Sequence, residues 1–250
     1  MSKSKSKWWN RSGRKQRVLI AVPTYDGEVT DGIAKRMHEA GVLSGVHAHP
    51  FTYEPFIIRN FRPVEFARNL CADFFLKGDG TGHPFEWLYF WDADMTPPAN
   101  WTQLLAHGRR MASGLAFGWQ DSGLGKPPSL LTCVYRRNEA DEYLSMRVAA
   151  GPFEADAAGA ACLLLRRDVL EAAGPAPFMP KYGKMGEVLL GEDVTFFDTL
   201  RKVDGWENEK VLVDPGVSFG HVKRADLNDI GVYGMAAKAL GAKLMAEGGR

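Results

Sequence analysis

The stretch FEWLYFWDAD, residues 85 to 94, is an apolar run that stops abruptly at two carboxylates. Its length, its aromatic content and the GDGTGHP segment before it read as one buried strand that delivers Asp92 and Asp94 to its carboxyl end. Because side chains alternate along an extended chain, Asp92 and Asp94 are expected to point the same way, with Ala93 turned back.

Upstream, RVLIAVPTY (17 to 25) is a second buried strand, stopped by Pro23 and Asp26-Gly27, and a helix is expected over about 29 to 40. A strand fits 46 to 53. PVEFARNLCADFFLKG (63 to 78) opens on proline and closes on glycine, as helices do, with Phe66, Leu70, Phe74 and Phe75 at helical spacing. This alternation predicts an α/β sheet with ligands at the strand ends. Downstream the chain is richer in strands: 115 to 119, 130 to 137, 143 to 148, a strand running into a helix over 153 to 174, and a strand or strand pair over 211 to 222. Pairing is therefore expected to be mixed. GEDVTFFDTLRKVDGW (191 to 206) reads as a helix with Phe197 and Leu200 on one face. QDSGLGKPP (120 to 128) and PAPFMPKYGKMG (175 to 186) read as loops over a site.

A chain of 250 residues with 45% hydrophobic and 24% charged content suits one globular domain. The net charge of +1 gives no general reason to expect a polyanionic partner. Its distribution is uneven: Lys3, Lys5, Lys7, Arg11, Arg14, Lys15 and Arg17 precede any acid. We read 1–16 as a basic disordered tail, 17–225 as the catalytic domain, divided into 17–98 and 99–225, and 226–250 as a C-terminal helix with a tail. Cys71, Cys133 and Cys162 are widely spaced in apolar surroundings, which suits buried thiols in a reducing, cytoplasmic compartment. No run approaches the roughly 18 apolar residues of a transmembrane segment.

Two hard oxygen ligands at a strand end suit Mg²⁺ or Mn²⁺. FWDADMT also matches, letter for letter, the nucleophile motif of haloacid-dehalogenase-type phosphatases, with Asp92 as nucleophile and Asp94 as acid/base; that motif normally follows the first strand of its domain, whereas here a strand-helix-strand-helix unit precedes it. The blandest reading is a solvated strand end.

The ordered landmarks RVLIAVPTYDG, ARN (67 to 69), WLYFWDAD, AAGAACLLLRRDVLEAAG, GEDVTFFDTLRKVDGW and His221 resemble a GT-A-type glycosyltransferase over about residues 17 to 222. The likeness is to small inverting enzymes of the family-two kind, including bacteriophage-encoded members. It implies a Rossmann-like GT-A fold, α/β with a central mixed, mainly parallel sheet flanked by helices, that binds a nucleotide-diphosphate sugar as donor. The nucleotide-binding half would be 17–98 and the acceptor-side half 99–225. By the same resemblance Pro23, Thr24, Tyr25 and Asp26 hold base and ribose, Arg68 approaches the nucleotide or its phosphates, and Asp92, Asp94 and His221 surround a metal ion. Asp193 is the general base with Glu192 in support, and Asp156 and Gly159 line the donor-sugar and acceptor pocket. An imidazole ligand favours Mn²⁺ over Mg²⁺.

Each residue also has a plain structural reading. Glu192 and Asp193 are favourable charge at a helix N-terminus, His221 is a hydrogen-bonded core histidine, and Arg68 pairs with Glu65 or Asp73 along its helix. His47 and His49, alternating on a strand, are taken as structural. Trp119, Tyr182 and Trp206 lie near loops and suit stacking on a sugar or base. The acceptor is left open by the sequence. The basic arm, with Trp8 and Trp9, suits DNA, and some bacteriophage enzymes of this resemblance glycosylate modified DNA bases. A nucleic-acid-binding module without catalysis is the third reading.

Overall fold

From Arg17 to Thr24 every residue of β1 (Gln16–Thr24) is buried, because helices cover both faces of its sheet. Val18, Ile20 and Val22 join a core on one face with Ile33 and Ala40 of α1 (Asp31–Gly45). Leu19 and Ala21 join the other core with Ala67, Cys71 and Phe75 of α2 (Val64–Lys77). Trp87 and Tyr89, against Leu88 and Phe90, divide β3 (Trp87–Phe90) between the same two cores. This computed structural model describes residues 14–120 and 129–222. Residues 121–128 of the loop expected at 120–128, the helix at 226–245 and most of the N-terminal tail lie outside the described residues.

The other elements are β2 (Phe51–Arg59), β4 (Met95–Thr96), α3 (Gln103–Ala106), β5 (Met111–Leu115), β6 (Phe117–Gln120), β7 (Ser129–Thr132), β8 (Val134–Arg137), β9 (Tyr143–Ser145), β10 (Phe153–Ala155) and β11 (Ala157–Ala158). After a short 3-10 turn at Ala160–Cys162 come β12 (Leu163–Arg166), α4 (Arg167–Ala173), β13 (Lys181–Tyr182), β14 (Val188–Leu190), α5 (Glu192–Leu200), β15 (Val211–Ser218) and β16 (Gly220–His221). Seven strands form the main sheet in the order β10-β15-β5-β12-β3-β1-β2. β1, β2, β3, β5 and β15 run in one direction, and β12 and β10 in the other. The fold class is therefore α/β, with a mixed, mainly parallel sheet flanked by helices.

Several sequence expectations are corrected. The second strand starts at Phe51 rather than 46, so His47 and His49 sit in the turn before it. Pro55 lies inside that strand, which is tolerated because β2 is the sheet edge. On α2 the buried face is not Phe66 and Leu70, which are exposed, but Ala67, Arg68, Cys71, Ala72 and Phe75. Small residues there let the helix approach the sheet. The expected continuous strand after 153 is broken into β10, β11 and β12. Arg17 lies in β1, as the strand expected from residue 17 requires, and its guanidinium pairs with Glu54 and, at 2.6 Å, with Asp79.

Candidate active site

A cleft of about 910 Å³ opens at the carboxyl ends of β1 and β3, where α/β sheets place their ligands. Its walls bring together Pro23 and Thr24 at the end of β1, Tyr25 and Asp26 just after it, Arg68 from α2, and Asp92 and Asp94 after β3. Gly159, Glu192, Asp193 and His221 join them, so that of the residues the sequence nominated Asp156 alone is absent from the cleft.

The loop after β1 is fixed by its own polar groups. Thr24 Oγ1 accepts from Gly27 N at 3.0 Å and donates to Glu28 O at 3.0 Å, while Asp26 Oδ1 accepts from Glu28 N at 3.0 Å. Gly27, at φ 83°, supplies the left-handed turn. The N-terminus of α1 then packs on the segment after β3: Thr30 caps the helix at Ile33 N, 3.2 Å, and donates to Met95 O. Gly32 is needed there, since a Cβ on it would lie 2.6 Å from Thr96 Cγ2. Glu28, Thr30, Asp31 and Gly32 therefore also line the cleft. Sequence reasoning missed them, although Thr30 followed by Asp31 is an N-cap signal.

The two aspartates do not share one direction. β3 ends at Phe90, and Met95 N bonds to Asp92 O at 3.0 Å, closing a turn over Asp92-Ala93-Asp94. Strand alternation consequently stops before the motif. Asp92 Oδ1 accepts from Arg68 Nη2 at 2.8 Å, whereas Asp94 Oδ2 lies 2.8 Å from His221 Nε2. His221 is placed by β16, which pairs with β4, and by a bond between Val222 N and Asp94 O of 2.7 Å. Its Nδ1 lies 3.0 Å from Phe117 O, and a carbonyl can only accept, so Nδ1 carries a proton and Nε2 faces the cleft. Among the described residues no group of three His, Cys, Asp or Glu side chains is arranged to hold a metal ion. The expected trio of Asp92, Asp94 and His221 is thus divided, with Asp92 occupied by Arg68.

Arg68 does not pair along its own helix as the plain reading had it; it reaches Asp92 and, at Nε, comes within 3.6 Å of Glu192. It is 4% exposed, and its Nε and Nη1 have no hydrogen-bond partner. Burial alone would lower its pKa, but Asp92, Glu192 and Asp193 outweigh that and raise it, so the cation is secure. Across the cleft, Glu192 and Asp193 open α5, whose N-cap Gly191 has no capping side chain. Asp193 Oδ1 accepts from Val194 N at 2.8 Å. Burial pushes the pKa of both acids up, and it prevails over the opposing field of Arg68. A carboxyl raised in this way is suited to accept a proton.

Gly159 is a close-approach position, because a Cβ there would lie 2.8 Å from Cys133 Cβ and 3.4 Å from Asp193 Oδ2. Asp156 does not line the cleft: its carboxylate is held by Lys210, by Arg201 at 3.2 Å and by Arg137 N at 2.9 Å. Trp206 packs under Arg110, 4.8 Å from its ring centre, and, like Tyr182, is not among the cleft residues. Cys133 does line it, with its thiol pushed up to about 11, first by burial and then by Asp193 and Asp92, which keeps it unreactive. Among the described residues no helix is long and apolar enough to cross a membrane.

No family model matches the chain, and no curated protein matches it. Among solved structures, A197 from STIV is 18% identical with a TM-score of 0.47, over 84% of this chain and 98% of that one. UDP-glucose pyrophosphorylase complexed with UDP-glucose is 11% identical with a TM-score of 0.42, over 92% and 100%. A glycosyltransferase involved in the glycosylation of the major capsid of PBCV-1 is 11% identical with a TM-score of 0.37, over 84% and 94%. Each score is below 0.5, and none fixes the chemistry of this chain.

Proposed function

We propose that the chain is a metal-dependent GT-A glycosyltransferase of the inverting family-two kind, which moves a sugar from a nucleotide-diphosphate sugar to an acceptor hydroxyl. The observation that carries this reading is the pairing, within one cleft, of Asp94 and His221 at 2.8 Å with a second acid pair, Glu192 and Asp193, whose carboxyls burial holds above their usual range. Two cis ligands of an octahedral ion stand roughly 3 Å apart when each lies 2.0–2.1 Å from it, so the Asp94 and His221 atoms are spaced to share one. Mn²⁺ or Mg²⁺ commonly uses one or two protein ligands and takes the rest from phosphate and water. When bound, such an ion neutralises charge on the leaving diphosphate.

The protein's own groups supply the remainder. The loop from Pro23 to Asp26 provides a wall for base and ribose, and the buried guanidinium of Arg68 offers donors to a phosphate. Asp193 takes the proton of the attacking hydroxyl, Glu192 orients that hydroxyl, and Gly159 leaves room beside Asp193 for the sugar. Attack from the face away from the diphosphate inverts the anomeric centre. A phosphatase reading needs a lysine beside Asp92, and among the described cleft residues the cation beside Asp92 is Arg68.

For the acceptor we extend the proposal to a hydroxyl on a modified DNA base, as in bacteriophage enzymes, guided by the basic N-terminal arm. Lys15 Nζ bonds the carbonyls of Ser44 and Val46, Arg14 lies beside His83, and Arg17 is ion-paired in β1, so the arm relies on Lys3, Lys5, Lys7 and Arg11. Mass spectrometry of hydroxymethylated DNA incubated with mixed nucleotide sugars and Mn²⁺ tests both parts. A mass increase of one sugar, absent with Asp193→Asn, supports them. Sugar transfer to another acceptor overturns only the DNA part, and phosphomonoester hydrolysis without transfer overturns the whole.

A further inference from the structure

The described residues that line the cleft include Asp26, Glu28, Asp31, Asp92, Asp94, Glu192 and Asp193 together with Arg68 and His221. Arg68 sits where three of these acids converge from separate elements: Asp92 after β3, and Glu192 and Asp193 from α5. A guanidinium has five N–H donors. Here one strong bond goes to Asp92, while buried Nε and Nη1 have no partner and Glu192 waits at 3.6 Å, in ion-pair range but without a hydrogen bond. A buried, half-satisfied cation is a costly arrangement, and it has an obvious alternative partner on either side.

Resting on the glycosyltransferase reading, we propose that Arg68 is an exchangeable counter-ion. It neutralises Asp92 in the observed arrangement and gives that carboxylate up when a divalent cation is held by Asp94 and His221. Asp92 then completes the three-residue ligand set, and the released guanidinium satisfies its spare donors on Glu192 and on the donor's diphosphate. The exchange orders the site: Asp92 becomes available to the cation only as Arg68 turns toward the groups that act on the substrate.

The exchange predicts effects of opposite sign, which a purely structural arginine would not produce. In calorimetry on the full chain, Arg68→Met should bind Mn²⁺ alone roughly three- to tenfold more tightly, because a competing charge has left Asp92. With Mn²⁺ saturating, the same variant should bind a nucleoside diphosphate at least roughly tenfold more weakly. Thermal melting establishes that the variant is folded, and Arg68→Lys, which keeps the charge, should lie between it and wild type on both measurements. Should Arg68→Met not fold, the Nε–H resonance of Arg68 in the wild-type protein decides: it should shift on adding Mg²⁺. Tighter Mn²⁺ binding with weaker diphosphate binding, or that shift, supports the exchange. Unchanged or weaker Mn²⁺ binding by a folded Arg68→Met, or an unmoved Arg68 signal while His221 responds, overturns it and leaves the transferase reading intact. No uptake of Mn²⁺ by the wild type overturns both.

Discussion

Asp94 and the Glu192–Asp193 pair occupy opposite environments in the cleft. Asp94, at the turn after β3, has a 55% exposed side chain and a histidine partner, while Glu192 and Asp193, at the head of α5, are drawn into the protein until burial raises their pKa. An open, ligand-paired carboxylate suits a cation; a desolvated carboxyl suits a proton. The comparison teaches that similar residues take different chemistry from the element that carries them. Turn geometry gives Asp92 and Asp94 separate partners, whereas the first turn of a helix leaves Glu192 and Asp193 close together beside one arginine.

The sharpest way to break the comparison is to exchange its predicted losses. Asp193→Asn should lower kcat by about 10²–10⁴-fold, the usual worth of a general base, with nucleotide affinity held within about threefold in calorimetry. Equal losses in both would make Asp193 a binding residue and erase the distinction. His221→Ala should weaken Mn²⁺ binding by at least about tenfold, read by electron paramagnetic resonance of free Mn²⁺, because one ligand and its Phe117 anchor are gone. Gly159→Ala should cost about 1–3 kcal/mol in denaturant unfolding, since its methyl would press on Cys133 Cβ.

The pH dependence sharpens the difference further. Asp193 must be ionised to act, so activity should fall as pH drops through a value above the ordinary aspartate range, and the acid limb of kcat against pH should report it. For stability the sign is the reverse. A carboxyl whose folded pKa is raised helps the fold below its unfolded pKa and loses that help as pH rises through the folded value. Asp193→Asn should therefore melt above wild type at pH 7, with the gap closing below about pH 4, the unfolded value. A wild type that melts higher at pH 7 would contradict the assignment.

Much of this arrangement was legible in the sequence where local pattern decides the outcome. β1 and β3 are apolar runs with clear stops, and α2 lies between Pro63 and Gly78 as its punctuation indicates. Eleven of the twelve nominated residues reach one cleft. What failed depended on contacts distant in sequence. Phe66 and Leu70 have helical spacing, yet the buried stripe is set by how closely α2 approaches the sheet, which favours Ala67, Cys71 and Ala72. Asp156 stands three residues from Gly159, but Arg201 and Lys210 claim it. The turn at Asp92-Ala93-Asp94 is held by α1 and β16, neither of which is visible in the quoted motif.

The central claim is that Asp94 anchors a cation that carries a diphosphate. Calorimetry of nucleoside diphosphates with and without Mn²⁺, on wild type and Asp94→Ala, tests it most directly. Micromolar binding that requires Mn²⁺ and vanishes in a folded Asp94→Ala is the predicted result. Binding that is indifferent to Mn²⁺, or that survives the substitution, would contradict the account.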